Sequence, residues 1–424
     1  MLMKNLEDKR MVMKMVWIEK LVPEDHLVRQ VYAALDFDFI YETVKPLYSE
    51  VDRPSIDLVD LFKLVFVQYL FGIHSMRQNI KEVETNVAIT GSVLFLTIRY
   101  HFSTFGKNYR RFRGTEILET IFYCILKQAM DEGFVDPERH VYCHSLSERK
   151  ETYETNHSQR NKTLSRKLDR EINEEQVNHR KKPLPPSTTV KKKEVKQSMT
   201  DPESDYMVKS ERERMFGYGL HTVCDANGFV GTVVEPSNKH DSQDFDSLLD
   251  QLLHKIETLQ VIAVDAGYKT PAISNRLQKE HIHAFMPYKR PMTPPGYFRK
   301  HDFVYDEYYD CFLCPNNAIL SYRTTNREGY HEYAADPTVC RTCPFLSQCT
   351  KSQTHQKVVF CHIWQEALDE VEHARHTEQN KEIYAKRKKP IEQVFGDLKA
   401  KHRLRTLLRG KEKIQCRRCL FSLQ

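Results

Sequence analysis

The sequence has no apolar run long enough to cross a bilayer. Its most apolar segment, Leu58 to Ile73, is interrupted by Asp60, Lys63 and Gln68, whereas a spanning helix needs about 20 consecutive apolar residues. The first stretch, Met1 to Trp17, is charged and lacks the apolar core of a secretory signal peptide. These two absences predict a cytoplasmic chain. Without a secretory signal, the 11 cysteines predict free thiols or metal ligands, because disulfides persist in oxidising compartments. A strong charge imbalance is also missing: 64 Lys and Arg against 58 Asp and Glu leave only +6. A 40% hydrophobic and 29% charged composition is that of an ordinary globular protein, and 424 residues give room for two or three domains.

The cations that are present are clustered. Residues 160–196 hold twelve Lys or Arg against five carboxylates, and residues 380–418 hold fourteen against four. Local clusters matter more than net charge for a polyanionic partner, because each phosphate contact releases counterions locally. A third basic stretch, His101 to Arg113, interleaves Lys107, Arg110 and Arg111 with Phe102, Phe105 and Tyr109. That mixture suits phosphate contact, and equally a surface helix with a packed aromatic edge.

Residues 15–135 read as an all-helical N-terminal domain. Leu58, Leu61, Phe62, Val65, Phe66 and Tyr69 make a wide apolar stripe at helical spacing, and Ile117, Leu118, Ile121, Phe122 and Ile125 make another. Residues 136–147 contain a short strand. Residues 148–212 are rich in Lys, Glu, Ser and Thr, lack apolar periodicity, and read as a basic flexible insertion. Residues 213–289 form the core: a hairpin turning at Asp225-Ala226-Asn227-Gly228, an amphipathic helix over Asp241 to Ile256, and strands alternating with helices. Residues 290–375 are a cysteine-rich insertion, and residues 376–424 carry a final core helix, about Pro390 to Arg403, with a basic tail. The fold class is therefore mixed α+β or α/β, a sheet covered by helices, in an order that suits an RNase H-like core.

Within that core, Val261-Ile262-Ala263-Val264 is a buried strand that ends on Asp265. Ligands in open α/β sheets sit beyond the carboxyl ends of strands, where such a side chain is presented, although Asp265 can equally cap the turn. Glu392 opens the final helix, and Tyr384, Lys388, Glu392 and Lys399 share one helical face. Two carboxylates converging on a strand end can hold Mg²⁺ or Mn²⁺, with substrate phosphate completing the shell, and two such ions clamp an in-line phosphoryl displacement. Arg387 and Lys399 would then lie near phosphate.

In the cysteine-rich insertion, Cys311-x2-Cys314 and Cys340-x2-Cys343 have the spacing of two zinc knuckles. Four thiolates predict a closed, structural Zn²⁺ site, with His331 or Cys349 able to replace one ligand. A further Cys416-x2-Cys419 has no partner pair.

The chain resembles the DDE transposases of bacterial insertion sequences. The resemblance is carried by Val264-Asp265-Ala266-Gly267-Tyr268, by Tyr384-x2-Arg387-x4-Glu392-x6-Lys399, and by His101-Phe-Ser-Thr-Phe-Gly-Lys-Asn-Tyr-Arg-Arg-Phe112. Thr200-Asp-Pro-Glu203, Asn238-Lys-His-Asp241 and Tyr309-Asp-Cys-Phe-Leu-Cys314 resemble further blocks of the family. It implies a helical DNA-end-binding domain and an RNase H-like catalytic domain using divalent metal. The implied partner is DNA bearing terminal inverted repeats, bound by a homodimer in a synaptic complex near the nucleoid. One departure changes the expected activity. Where the family has its first Asp, this strand reads Val141-Tyr-Cys-His-Ser-Leu-Ser-Glu148, and imidazole or thiol is a poor Mg²⁺ ligand. The sequence thus predicts a transposase fold with impaired strand cleavage, or a DNA-binding relative that no longer cleaves.

Overall fold

The structure, a computed structural model, describes residues 22–48, 57–86, 88–89, 101–112, 115–134, 141–148, 153–158, 163–184, 193–199, 201–208, 214–225, 229–236, 242, 245–256, 259–289 and 293–400. The Asn227-Gly228 turn, the Asn238-to-Asp241 block and the Cys416/Cys419 pair lie outside these residues. The chain divides into two compact units. One comprises Met1–Pro137, Thr222–Val234 and Pro390–Gln424; the other comprises Glu138–His221 and Glu235–Lys389. Among the described residues, no helix is long and apolar enough to cross a membrane.

Among the described residues between 22 and 134, the first unit contains helices and turns and no strand: α1 (Leu27–Ala34), α2 (Phe39–Val44), α3 (Leu58–Leu70), α4 (Met76–Thr85), α5 (Phe102–Phe112) and α6 (Ile117–Asp131). Asp57 starts α3, its carboxylate accepting the Val59 and Asp60 N–H groups, as an N-cap should. The apolar stripe of α3 goes into a cluster of Val28, Leu61, Leu64, Val67, Val83, Ile89 and Phe105. A buried amide ties the next helix in: Asn79 of α4 donates from Nδ2 to the Leu64 carbonyl at 2.7 Å. The second stripe does as its spacing predicts, since Leu118, Ile121, Phe122 and Ile125 of α6 are buried.

The second unit holds two sheets. Its larger sheet uses β1 (Val141–Glu148), β2 (Tyr153–Ser158), β3 (Lys193–Ser198), β4 (Asp205–Val208), β5 (Arg214–Cys224), β6 (Phe229–Pro236), β7 (Val261–Ala263) and β8 (His283–Phe285). The strand order is β2-β3-β4-β5-β1-β7-β8, with β6 pairing β5; the end of β5 from Thr222 and most of β6, to Val234, are assigned to the first unit. The strand pairs β1–β7 and β7–β8 are parallel, while β2 through β5 are antiparallel. Helices α8 (Phe245–Lys255) and α9 (Pro271–Lys279) provide the crossovers around β7. Parallel neighbours require such crossovers.

Residues 148–212 differ from expectation. Besides β2, β3 and β4, they form α7 (Thr163–Asn178), which lies against a strand of the second sheet. Its inward stripe ends on a polar residue, buried Gln176, instead of an aliphatic one, and this is why periodicity did not reveal it.

The second sheet is antiparallel throughout: β9 (Val304–Asp306), β10 (Cys311–Leu313), β11 (Ile319–Thr325), β12 (Tyr330–Ala335) and β13 (Val358–His362), in the order β13-β12-β11-β10-β9. Two short helices, α10 (Pro337–Arg341) and α11 (Leu346–Cys349), join β12 to β13. This sheet has its own core of Phe303, Phe312, Leu320, Tyr333, Ala335 and Val359. Helix α12 (Gln365–Ala374) follows, then α13 (Glu378–Ala400). The last helix therefore begins twelve residues before the expected start at Pro390, and Pro390 lies inside it.

Candidate functional site at the end of β7

Strand β7 stops because its last carboxylate turns the chain. Asp265 is extended (φ −77°, ψ 166°) and caps a 3₁₀ turn over Ala266–Tyr268, its Oδ1 accepting the Ala266 N–H at 2.8 Å. The turn is anchored underneath by Tyr268, which is fully buried. Its hydroxyl lies 2.6 Å from Nδ1 of the buried His221, and its ring packs on Phe245. Thr270 and Pro271 then start α9, with Thr270 Oγ1 accepting the Ile273 N–H. Both readings of Asp265 thus coexist: one oxygen caps the turn, and the carboxylate stands at the carboxyl end of a parallel strand.

Helix α13 supplies the groups that face it. Arg387 points Nη2 at Asp265 Oδ1, 3.6 Å away, and Nη1 donates to the Tyr384 hydroxyl at 3.3 Å. The Arg387 side chain is only 11% exposed and that of Asp265 36%. Burial raises the Tyr384 phenol above its ordinary value; Arg387 opposes this and Asp265 adds to it. The structure therefore brings Asp265, Tyr384 and Arg387 together. Glu392 is exposed and Lys399 half-buried on the same helix, both within the other unit.

A brace missed by sequence reasoning holds the strand end from the opposite side. Lys269 donates to the Pro287 carbonyl at 3.1 Å and to the Glu372 carboxylate of α12. Glu372 also pairs with Arg375, at 2.7 Å. Burial alone would raise the Glu372 carboxyl, but Lys269 and Arg375 outweigh it and hold the group below the ordinary carboxylate value. The only signal in the sequence was a lysine four residues after Asp265.

The neighbouring strand shows what the site lacks. Strands β1 and β7 are parallel with Val141 opposite Ile262 and Tyr142 opposite Ala263. The paired positions end there, and β1 runs on through position 144, a histidine, where the resemblance expects an acid. Among the described residues no group of three or more His, Cys, Asp or Glu is arranged to hold a metal ion. The single carboxylate of Asp265 suits a Mg²⁺ ion that takes few protein ligands.

In the first unit, α5 presents its predicted cations outward. Phe105 and Phe112 are buried one heptad apart, and Lys107, Arg110 and Arg111 are exposed on the opposite side. Arg111 also lies over the Tyr48 ring, 4.6 Å from its centroid, and Tyr48 donates to Asn108 Oδ1. The predicted zinc ligands lie in the second sheet, where Cys311 is buried and Cys314, Cys340 and Cys343 are half-buried.

Residues 16–111 match the family described as Transposase domain (DUF772), and residues 313–424 match that described as Transposase DDE domain. No curated protein matches the chain. Among solved structures, the chain is similar to a piggyBac transposase synaptic complex with hairpin DNA, determined by cryo-electron microscopy. The identity is 7% over 93% of this chain and 77% of that one, with a TM-score of 0.25, a likeness too loose to position any residue. Transposase domains matched in both the N-terminal and the C-terminal stretch support a DDE-type transposase of the insertion-sequence kind.

Proposed function

We propose that this transposase binds the terminal inverted repeats of a mobile element, as a homodimer in a synaptic complex, and cleaves them poorly. In this reading the 213–289 core is RNase H-like, and the exposed cations Lys107, Arg110 and Arg111 of α5 take phosphates of the element end. Arg387 and Lys399 would contact the phosphate to be attacked, and Asp265 and Glu392 would hold Mg²⁺ or Mn²⁺. A divalent ion there supplies Lewis-acid polarisation of a phosphodiester. Arg387 offsets the charge of the Asp265 carboxylate, and its guanidinium would suit a phosphate partner equally well.

Impaired cleavage is supported by β1, the parallel neighbour of β7, which carries no Asp or Glu between Val141 and Ser147. A neutral imidazole adds no charge to offset that of a second ion and is a poor ligand for Mg²⁺. His144→Asp supplies an acid on β1 where the resemblance expects one.

The test uses the full chain with duplexes carrying the element's own terminal inverted repeats, in Mg²⁺ and in Mn²⁺. Binding is expected for the wild type, with affinity falling steeply with salt. Nicking is expected to be weak in the wild type, to rise at least tenfold in His144→Asp, and to disappear in His144→Asp/Asp265→Asn. Wild-type nicking equal to that of His144→Asp overturns the impaired reading; nicking that survives Asp265→Asn overturns the site.

A further inference from the structure

We propose that Cys314, Cys340, Cys343 and Cys349 hold one zinc ion in the second sheet, and that Cys311 takes no part. This replaces the ligand set expected from two Cys-x2-Cys pairs, and it stands independently of the reading of the β7 end.

The first pair is not a knuckle, because Cys311–Leu313 is a strand. Side chains of a strand alternate between its faces. Phe312 points into the core of the second sheet, so Cys311 points away from it. The electrostatic neighbours of Cys311 are accordingly Asp306 and Asp310, not thiols. Two carboxylates beside a buried thiol disfavour its thiolate, the form that binds zinc.

Cys314 falls on the other face and packs against the same core as Phe312. There the chain turns tightly: Cys314 N donates to the Ala318 carbonyl, Asn317 N to the Cys314 carbonyl, and Ala318 N to the Cys314 sulfur at 3.3 Å. Asn317 takes the left-handed conformation that this turn requires (φ 59°).

The remaining three thiols arrive from the connection between β12 and β13. Asp336 caps α10, which carries Cys340, and the turn after it closes with Cys343 N donating to the Cys340 carbonyl at 3.2 Å. Cys349 ends α11. Cys340 and Cys349 pack against the same core as Cys314, and the electrostatic neighbours of Cys349 include Cys340, Cys314 and Cys343. The other candidates face elsewhere. Cys361 touches this core too, but its neighbours are Lys300, Asp369 and Asp310. His331 bonds Thr325 Oγ1 through Nδ1 and faces Glu175 through Nε2.

The four thiols come from the turn after β10 and from the short helices and turn between β12 and β13. A tetrahedral ion with bonds of about 2.3 Å would staple those elements. Among the described residues no such group already stands arranged around an ion, so in this assignment binding would draw the thiols inward by rotamer changes and couple metal uptake to the order of residues 337–357.

The test measures zinc in the purified full chain, then strips it with a chelator and reconstitutes with Co²⁺, reading the visible and sulfur-to-cobalt charge-transfer bands. One zinc per chain and a four-thiolate cobalt spectrum are expected. Cys311→Ser should keep both. Cys349→Ser should lose most of the zinc and weaken the charge-transfer band, and Cys349→His should recover zinc with a cobalt spectrum of three thiolates and one imidazole. Because Cys349→Ser can fail to fold, alkylation of the wild type gives a second reading. Chelation should expose Cys314, Cys340, Cys343 and Cys349 and leave the rate at Cys311 unchanged. A chain that takes up neither metal, equal zinc loss from Cys311→Ser and Cys349→Ser, or chelator-dependent exposure of Cys311, overturns the assignment.

Discussion

Arg387 and Asp265 face each other at 3.6 Å, so the carboxylate at the end of β7 is neutralised by the protein itself. A guanidinium this close competes with any divalent ion for the same oxygens. Arg387→Ala should therefore raise the affinity for Mn²⁺ in the absence of DNA by several-fold, since a shift of about 1.4 kcal/mol is tenfold in binding. The same variant should weaken binding of element-end DNA, because a phosphate partner is lost. Titration calorimetry with Mn²⁺ and a DNA shift assay read the two effects. Both affinities falling together would mean that Arg387 only props up the fold.

The cations of α5 predict a salt dependence. Lys107, Arg110 and Arg111 lie opposite the buried Phe105 and Phe112, so replacing them by Ala should leave the helix packed. Each phosphate contact contributes about 0.9 to the slope of log affinity against log salt. The triple variant should flatten that slope by about 2.7 if all three side chains take phosphates, with melting temperature nearly unchanged. An unaltered slope would remove α5 from the DNA interface.

Legibility followed apolar spacing. The stripes of α3 and α6 and the run Val261 to Val264 each announced an element, because burial of aliphatic side chains at a fixed period is what both sequence and fold record. Asp265 could be picked out as the residue ending such a run. Its partners in space could not: Lys269 and Glu372 are 103 residues apart, and nothing local links them. Under the ligand set proposed above, the Cys311–Cys314 spacing is uninformative for a related reason. Spacing says that two thiols are close along the chain, while the strand between them turns one away from the core.

Helix α7 was missed because a polar side chain fills an inward position, and this has an energetic consequence. Gln176 is 2% exposed and donates from Nε2 to the Thr325 carbonyl at 2.9 Å, with Thr324 Oγ1 at 3.4 Å. Gln176→Ala leaves that carbonyl buried without the donor, at a cost of about 1–3 kcal/mol. Gln176→Glu should cost more, because an ionised carboxylate offers the carbonyl no proton. Denaturant unfolding checks the order: wild type, then Ala, then Glu. Indistinguishable midpoints would show that α7 does not rely on this bond.

The Glu372 brace predicts how the β7 end responds to acid. Its carboxyl lies below the ordinary value of 4.5 in the folded chain, so the unfolded chain takes up the proton first. The brace therefore contributes fully above about 4.5, and its contribution is lost as pH falls through the depressed folded value. Glu372→Gln keeps the shape and removes the charge. The melting temperature of wild type should exceed that of Glu372→Gln by a constant margin at neutral pH, and the margin should close on acidification. The half-exposed carboxylate keeps that margin small, as screening does for pairs near the surface. Lys269→Met should remove the same margin, and the double variant should fall no further than the worse single one, because the two side chains serve one contact. Additive losses would separate Lys269 from Glu372 and leave the carbonyl of Pro287 as the lysine's working partner.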